Sequence, residues 1–226
     1  LVLRWLFHGQ VCAIYENLGF YQTHNPNEHP LAPDIAIIKG IPFELVTSWS
    51  VWQTGIMPHV VFEIASRETW RRDLIEKPGE YAKMGVEEYF AYDPNEPILR
   101  KDTPRRLFGW QLDKTQGAMQ AMPVGPGGRL WSGHLDSFLV PDGDYLRLYD
   151  RNGYLRLTRD EAEARRALEE RKRAEVATMF AEAEARRAEA ANMRAEAEAR
   201  RAEEERRRAE ALAEKLRSLG IDPDQI

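Results

Sequence analysis

The chain has 226 residues, and its 37 Asp and Glu residues outnumber its 32 Lys and Arg residues, which gives a net charge of −5. This acidic balance argues against a surface dedicated to nucleic acid, since phosphate contacts come from clustered Lys and Arg, but it leaves room for a local basic groove. No apolar run approaches the ~18 residues that span a bilayer, which excludes a membrane partner. A single cysteine, Cys12, excludes a disulfide framework and a Cys-based metal site. By elimination we expect a cytoplasmic location.

The composition divides the chain into two parts. All six Trp, all eight Tyr and seven of the eight Phe lie before residue 159, whereas residues 159–219 consist largely of Ala, Glu and Arg. The front segment is long enough to bury a core. The sequence therefore predicts a globular domain over 1–158, a long charged helix or coiled coil over 159–219, and a short tail over 220–226. The chain begins without Met, which leaves open an N-terminal truncation of the domain.

In chain order, the globular part begins with a short helix and a strand or turn over 1–21, followed by a proline-rich loop. Apolar runs bounded by turn residues then predict strands, and a longer stretch ending at a glycine predicts a helix. These elements are strands over 35–39, 59–64 and 87–92, and a helix over 66–84 that is interrupted at Pro78-Gly79, unless Pro78 begins a new helical turn. This order predicts a βαβ unit with a right-handed crossover. Residues 105–158 predict shorter strands in a peripheral hairpin layer, and the fold class is α/β.

The segment 159–219 carries an internal repeat. The run AEARRA occurs at 162–167, 183–188 and 197–202, at spacings that are multiples of seven, so one heptad register runs throughout. One column of this register is filled by Ala167, Ala174, Ala181, Ala188, Ala195, Ala202, Ala209 and Leu216. Because Ala buries little apolar area, we expect a weak coiled coil that allows a homodimer. The alternative is a solvated single helix held by Glu–Arg pairs. Gly220 and Pro223 are expected to end the helix.

Two acidic residues adjoin the predicted strands. Asp34 precedes the strand 35–39, and Glu63 lies near the end of the strand 59–64. If these strands pair side by side, the two carboxylates meet, and Lys77 on the following helix can join them. Two carboxylates in one small site need a cation, and their hard oxygens suit Mg²⁺ or Mn²⁺, which bind phosphate and lower the pKa of an attacking water. The alternative is that each acid is only a turn residue or a solvated strand end.

The helix that follows offers several basic residues. Lys77 and Lys83 are six residues apart, which places them on different sides of an α-helix. Lys77 shares its side with Asp73, four residues before it, either as an ion pair or as the group that positions the lysine. We therefore predict that Lys77, and not Lys83, orients water or phosphate. Arg71 and Arg72 are predicted to contact substrate phosphates, with a solvated helix side as the alternative.

An ordered series of motifs resembles one known family. The stretches that carry the resemblance are LAPDIAIIKG at 31–40, PHVVFEIAS at 58–66, Asp73 with Lys77 and Tyr81, GVEEYFAYDP at 85–94, LRLYD at 146–150 and LGIDPD at 219–224. In this order they are similar to the Uma-two family of endonucleases, within the PD-(D/E)xK nuclease superfamily. The likeness covers nearly the whole chain.

The resemblance implies a restriction-endonuclease-like mixed sheet flanked by helices, with Asp34 and Glu63 as metal ligands and Lys77 as the catalytic lysine. The superfamily pattern puts a lysine two residues after the second acid, where this chain has Ala65; the family supplies the lysine from the next helix. The resemblance also implies a Mg²⁺-dependent (or Mn²⁺-dependent) endonuclease that hydrolyses phosphodiester bonds in DNA. The alternative is an inactive nuclease fold that acts as an interaction module through its C-terminal helix.

Overall fold

A computed structural model of the protein describes residues 2–25 and 27–218. The chain divides into two compact units between Ala162 and Glu163. The predicted tail over 220–226, and the helix end expected at Gly220 and Pro223, lie outside the described residues. No helix within the described ranges is both long and apolar enough to cross a bilayer.

The first unit is built on a six-stranded mixed sheet. In the order of the sheet its strands are β1 (Cys12–Glu16), β3 (Ile35–Lys39), β5 (Val60–Ile64), β6 (Glu88–Tyr92), β7 (Leu107–Asp113) and β8 (Ala118–Ala121). β5 and β6 are parallel neighbours, and the other adjacent pairs are antiparallel. The parallel pair is the βαβ unit that the sequence predicts.

Two smaller sheets and short helices complete this unit. β2 (Phe20–Tyr21) pairs in parallel with β4 (Trp49–Ser50), and an antiparallel sheet contains β9 (Leu130–Ser132), β10 (Ser137–Asp142) and β11 (Tyr145–Tyr149). The helical elements are α1 (Val2–Leu6), α2 (Val51–Thr54), a π-helical turn (Arg72–Glu76), α3 (Lys77–Met84), a 3₁₀ turn (Pro126–Gly128) and the long α4 (Arg159–Ser218).

The central strands are buried on both sides of the large sheet. Because side chains alternate along a strand, Val61 packs on one side with Tyr81 of α3, while Val60 and Phe62 pack on the other side. Both clusters are apolar, and all five residues of β6 are buried. Burial on both sides explains why these strands read as continuous apolar runs rather than as alternating ones.

The structure confirms the three predicted strands to within one residue and the mixed α/β fold class. The structure differs from the prediction in the helix before β6, which is not interrupted at Pro78-Gly79. The π-helical turn runs directly into α3, and Pro78 occupies the first turn of that helix. The peripheral-layer prediction is wrong for β7 and β8, since Leu107 and its neighbours pair with β6 and extend the large sheet. It holds for β9, β10 and β11, which form their own sheet.

The second unit begins at Glu163, and its described part consists of α4 from that residue onward. This helix has 60 residues, and none of them is buried. At ~1.5 Å per residue it is about 90 Å long. The absence of Pro and Gly between 159 and 218 permits such a length, and Glu–Arg pairs four residues apart, such as Arg171 with Glu175, support it.

Candidate active site

The pairing of β3 with β5 brings the two predicted acids together. Ile35 lies opposite Phe62 in this antiparallel pair, so one further step of the register places Asp34 opposite Glu63. Directly opposite residues point to the same side of a sheet, with their Cβ atoms about 5 Å apart. The carboxylate of Asp34 accepts a hydrogen bond from the backbone N–H of Ile64 at 2.6 Å. Asp34 and Glu63 are therefore neighbours, as the sequence predicts.

Glu63 points to the side of the sheet that α3 covers. Glu63 as a whole is only 4% exposed, and its Oε1 atom receives two donors. Nζ of Lys77 lies 2.7 Å away, and the hydroxyl of Tyr81 donates to the same oxygen at 2.5 Å. Lys77 thus lies directly beside the second acid, whereas residue 65 is a buried alanine.

Lys77 also pairs with a second carboxylate. Its Nζ lies 2.8 Å from Oδ1 of Asp73, which precedes it by four residues, and Asp73 is 1% exposed. Oδ2 of Asp73 is buried and accepts no hydrogen bond from the described residues. Asp73 was expected as a partner of Lys77 from its spacing, but the sequence carried no sign that its carboxylate would be fully buried.

The π-helical turn explains how Pro78 is accommodated. In this turn the N–H of Lys77 bonds to the carbonyl of Arg72, five residues before it. In the same register the N–H of residue 78 would reach the carbonyl of Asp73, but proline has no N–H. The hydroxyl of Tyr89, on β6, donates to that carbonyl at 2.6 Å instead. Tyr89 therefore anchors the turn that carries both Asp73 and Lys77, a role that sequence analysis missed because the contact joins distant residues.

Burial and charge set the protonation of this cluster. Burial raises the pKa of Glu63, Lys77 opposes the shift, and the nearby Asp34 carboxylate adds to it. Burial lowers the pKa of Lys77, but the carboxylates of Glu63 and Asp73 outweigh this effect and raise it. Burial and the charge of Glu63 raise the pKa of Tyr81, so its phenol stays protonated and donates. Two carboxylates, Glu63 and Asp73, contact the ammonium group of Lys77, and the Asp34 carboxylate lies near Glu63. This excess of carboxylates over cations favours a further cation.

The donor atoms at this site fit Mg²⁺ better than zinc. In the described part of the chain, no group of three or more His, Cys, Asp or Glu side chains is arranged to hold a metal ion. Asp34 and Glu63 supply two carboxylates, and Asp34 is partly exposed to solvent. Mg²⁺ is commonly bound by one or two carboxylates while it keeps several waters and binds substrate phosphates, whereas structural zinc takes four protein ligands. The residues present are thus compatible with Mg²⁺ or Mn²⁺.

The remaining basic residues of this region lie on the surface. Lys83 is exposed, on a different side of α3 from Lys77, as predicted. Arg71 is exposed, with its guanidinium 5.2 Å from the centre of the Trp70 ring. Arg72 is also exposed and lies 3.4 Å from Glu80. A contact of either arginine with phosphate stays a prediction.

Comparison with protein families decides the relationship that these motifs suggest. The Uma2 family model, described as "Putative restriction endonuclease", matches residues 1–134. The chain belongs to the Uma2 family. The matched range contains Asp34, Glu63, Asp73, Lys77 and Tyr81, so the whole cluster lies within the part that this nuclease-like family shares.

No curated protein matches the chain. Among solved structures it is similar to one titled "Crystal structure of a putative nuclease belonging to DUF820", from Anabaena variabilis ATCC 29413. The two chains are 15% identical, the match covers 59% of this chain and 67% of the other, and the TM-score is 0.41.

Proposed function

We propose that this Uma2 protein is a Mg²⁺-dependent endonuclease that hydrolyses phosphodiester bonds in DNA, with Mn²⁺ able to replace Mg²⁺. The observation that supports this most directly is the position of Lys77, whose Nζ lies within 2.8 Å of both Glu63 and Asp73, next to the strand register that sets Asp34 opposite Glu63. An acid pair and a lysine, joined from two strands and a helix, form the set that metal-assisted phosphodiester hydrolysis needs.

In this proposal Asp34 and Glu63 hold the cation. When bound, the cation polarises the phosphodiester and lowers the pKa of the attacking water. Lys77 orients that water or holds a phosphate oxygen, and its raised pKa keeps it protonated for this purpose. Tyr81 keeps Glu63 in place through its hydrogen bond, and Asp73 positions Lys77 from the previous turn.

The family and the local charge support DNA as the proposed substrate. A restriction endonuclease acts on DNA, and the phosphates of DNA require positive groups near the site. Arg71 and Arg72 are exposed on the turn before Lys77, and they are our candidates for these contacts. The acidic net charge of −5 favours a local contact over an extended basic surface.

Cleavage of supercoiled plasmid with Mg²⁺ or Mn²⁺ tests the proposal, together with calorimetry of metal binding. Asp34→Asn should lose both metal binding and cleavage, because it removes a ligand while keeping the shape of the side chain. Lys77→Met should lower cleavage by about 10²-fold or more, the usual range for a positioned proton-transfer or orienting group, while it keeps metal binding. Lys83→Met is the matched control on the same helix and should leave both unchanged.

Two outcomes would contradict the proposal. If the wild-type protein binds neither metal and leaves plasmid intact, the protein is instead an inactive nuclease fold that serves as an interaction module. If Lys83→Met abolishes cleavage and Lys77→Met does not, the assignment of the lysine is wrong.

A further inference from the structure

The charges of α4 are sorted into columns of the heptad repeat. Seven residues turn an α-helix to within ~20° of the starting direction, so residues seven apart stay on one slowly turning side. Thirteen of the sixteen basic residues of this helix lie in two columns. The basic members of these columns are Arg165, Lys172, Arg186, Arg200 and Arg207 in one, and Arg159, Arg166, Arg173, Arg187, Arg194, Arg201, Arg208 and Lys215 in the other.

A third column, mostly alanine, runs between the two basic columns. A residue four positions after a member of the first basic column is also three positions after a member of the second. On an α-helix such a residue lies between the two columns. This column contains Ala162, Glu169, Val176, Ala183, Ala190, Ala197, Glu204 and Ala211. We call these three columns together the basic face.

The opposite side of α4 is bordered by glutamate. Twelve of the sixteen acidic residues also lie in two columns. They are Glu161, Glu175, Glu182, Glu189, Glu196, Glu203 and Glu210 in one, and Glu163, Glu170, Glu184, Glu198 and Glu205 in the other. Between these acidic columns lie the column of Ala167 and the column of Ala164, and we call these two columns the alanine face. The column of Ala164 also contains Arg171, Thr178, Asn192 and Arg206.

The basic face also carries an exposed apolar patch. Val176, Met179 and Phe180 have the spacing that puts side chains next to each other on a helix. Met179 is 69% exposed and Phe180 is 72% exposed. Met179 and Phe180 lie in the two basic columns; the column of Met179 also contains Met193 and Glu214. An exposed apolar patch within a charged surface is typical of a protein–protein contact, and it is not needed for contact with solvent or with phosphate groups.

Symmetric pairing of two such helices is opposed by charge. If two alanine faces packed together, in either orientation, the glutamate columns of both helices would flank the contact, at the positions where coiled coils place their charge pairs. If two basic faces packed together, arginine would meet arginine. Like charges across such a contact are destabilising. The homodimer expected through the column of Ala167 therefore needs a different arrangement.

We propose that α4 binds a second copy of this chain face to back, with the basic face of one helix on the alanine face of the other. The two basic columns then meet the two glutamate columns, and the apolar patch of Val176, Met179 and Phe180 packs over alanines, which allow close approach. Both faces follow the same heptad, so they supercoil together. Because the two contacting faces differ, the contact is heterologous and does not close into a two-fold dimer.

This arrangement has two measurable consequences. Assembly is open-ended, so the average mass rises with concentration instead of stopping at two copies. It is also sensitive to salt, because exposed charges more than about 10 Å apart are screened at ~0.1 M ionic strength. The contact involves no residue of the candidate active site, so the outcome does not depend on whether the protein cleaves DNA.

Sedimentation velocity of the full-length chain tests the proposal with two charge-reversed variants. The first changes Arg186, Arg187, Arg200 and Arg201 to Glu, which leaves Arg194 as the one basic residue of the basic face between 186 and 201. The second changes Glu182, Glu184, Glu196 and Glu198 to Arg, which makes both faces basic. Each variant alone should stay monomeric, and an equimolar mixture should associate again. Circular dichroism confirms that each variant keeps the helix, since new like-charge neighbours cost only ~0.2–0.5 kcal/mol per pair.

A third variant separates a specific contact from general attraction of opposite charges. Phe180→Ser in both members of the mixture should weaken association by about tenfold, because it removes most of an apolar side chain from the contact. The proposal is overturned if the wild type is monomeric at low salt, or if it is a discrete dimer that the reversals do not change. It is also overturned if the wild type stays monomeric while the first variant alone loses binding to a short DNA duplex, which would assign the basic face to nucleic acid.

Discussion

Removal of the Tyr89 hydroxyl should destabilise the turn that carries Lys77. In Tyr89→Phe the carbonyl of Asp73 loses the donor that replaces the missing N–H of Pro78. Both ends of this hydrogen bond are buried, because Tyr89 is 0% and Asp73 is 1% exposed. A buried acceptor left without a donor costs ~1–3 kcal/mol, so we expect the free energy of unfolding to fall by about 2 kcal/mol.

The same variant in a Pro78→Ala background isolates the cause. Alanine at 78 restores an N–H in the register of the π-helical turn, and this N–H can donate to the carbonyl of Asp73. Tyr89→Phe should then cost less than in the wild type, by about 1 kcal/mol, the usual net value of one hydrogen bond. Tyr92→Phe is the control, since the Tyr92 hydroxyl donates to Gly143 and Tyr145 instead, and its cost should not depend on residue 78.

Urea denaturation followed by tryptophan fluorescence measures these effects in the first unit alone, because all six Trp lie before residue 159. The reasoning is refuted if Tyr89→Phe costs less than ~0.5 kcal/mol, the low end for a hydrogen bond. It is also refuted if the cost is the same with Pro and with Ala at position 78.

Three further outcomes follow from the same structure. Lys77→Met should destabilise the first unit by ~3–5 kcal/mol in urea denaturation, since it leaves buried carboxylates without their cation, whereas Lys83→Met at an exposed position should cost almost nothing. Burial raises the pKa of Glu63 in the folded state, so the stability gained by protonating this carboxyl group is present at low pH and is lost as pH rises through that pKa. Because Mg²⁺ would bind the ionised carboxylate, Mg²⁺ should raise the melting temperature more at pH ~8 than at pH ~5. Gly109→Ala should lower the free energy of unfolding in urea by ~1–3 kcal/mol, because its new Cβ would lie 2.6 Å from the side chain of Leu130. Gly79→Ala should raise it by ~0.5–1 kcal/mol, because a Cβ at this position of α3 meets open space.

The strands that build the site could be predicted from local sequence. β3, β5 and β6 are short apolar runs with turn residues at their ends, and burial on both sides keeps these runs apolar. The same argument failed for β7, where Leu107, Phe108 and Gly109 pair with β6. The apolar content of β7 does not tell whether this strand joins the large sheet or forms a separate hairpin. The two cases differ only in the strand that β7 pairs with, and that partner lies elsewhere in the sequence.

The candidate site was predictable where spacing along one element was enough. Asp73 and Lys77 are four residues apart on a helical segment, and they form the ion pair that this spacing predicts. The adjacency of Asp34 and Glu63 needed the additional assumption that β3 and β5 pair, which the structure bears out. The catalytic roles of these residues remain predictions until metal binding and cleavage are measured.

What the sequence by itself determined is the division into an aromatic-rich unit and a charged helix, together with the heptad columns of that helix. These features depend on composition and on a fixed period, and both can be read without knowing any long-range contact. Only the tertiary structure decided that Pro78 follows a π-helical turn and that Tyr89 supplies the donor which proline lacks. It also decided that Tyr81 and Lys77 converge on one oxygen of Glu63. The physical reason is that these contacts depend on the packing of α3 against the large sheet, which brings together residues that the sequence keeps apart.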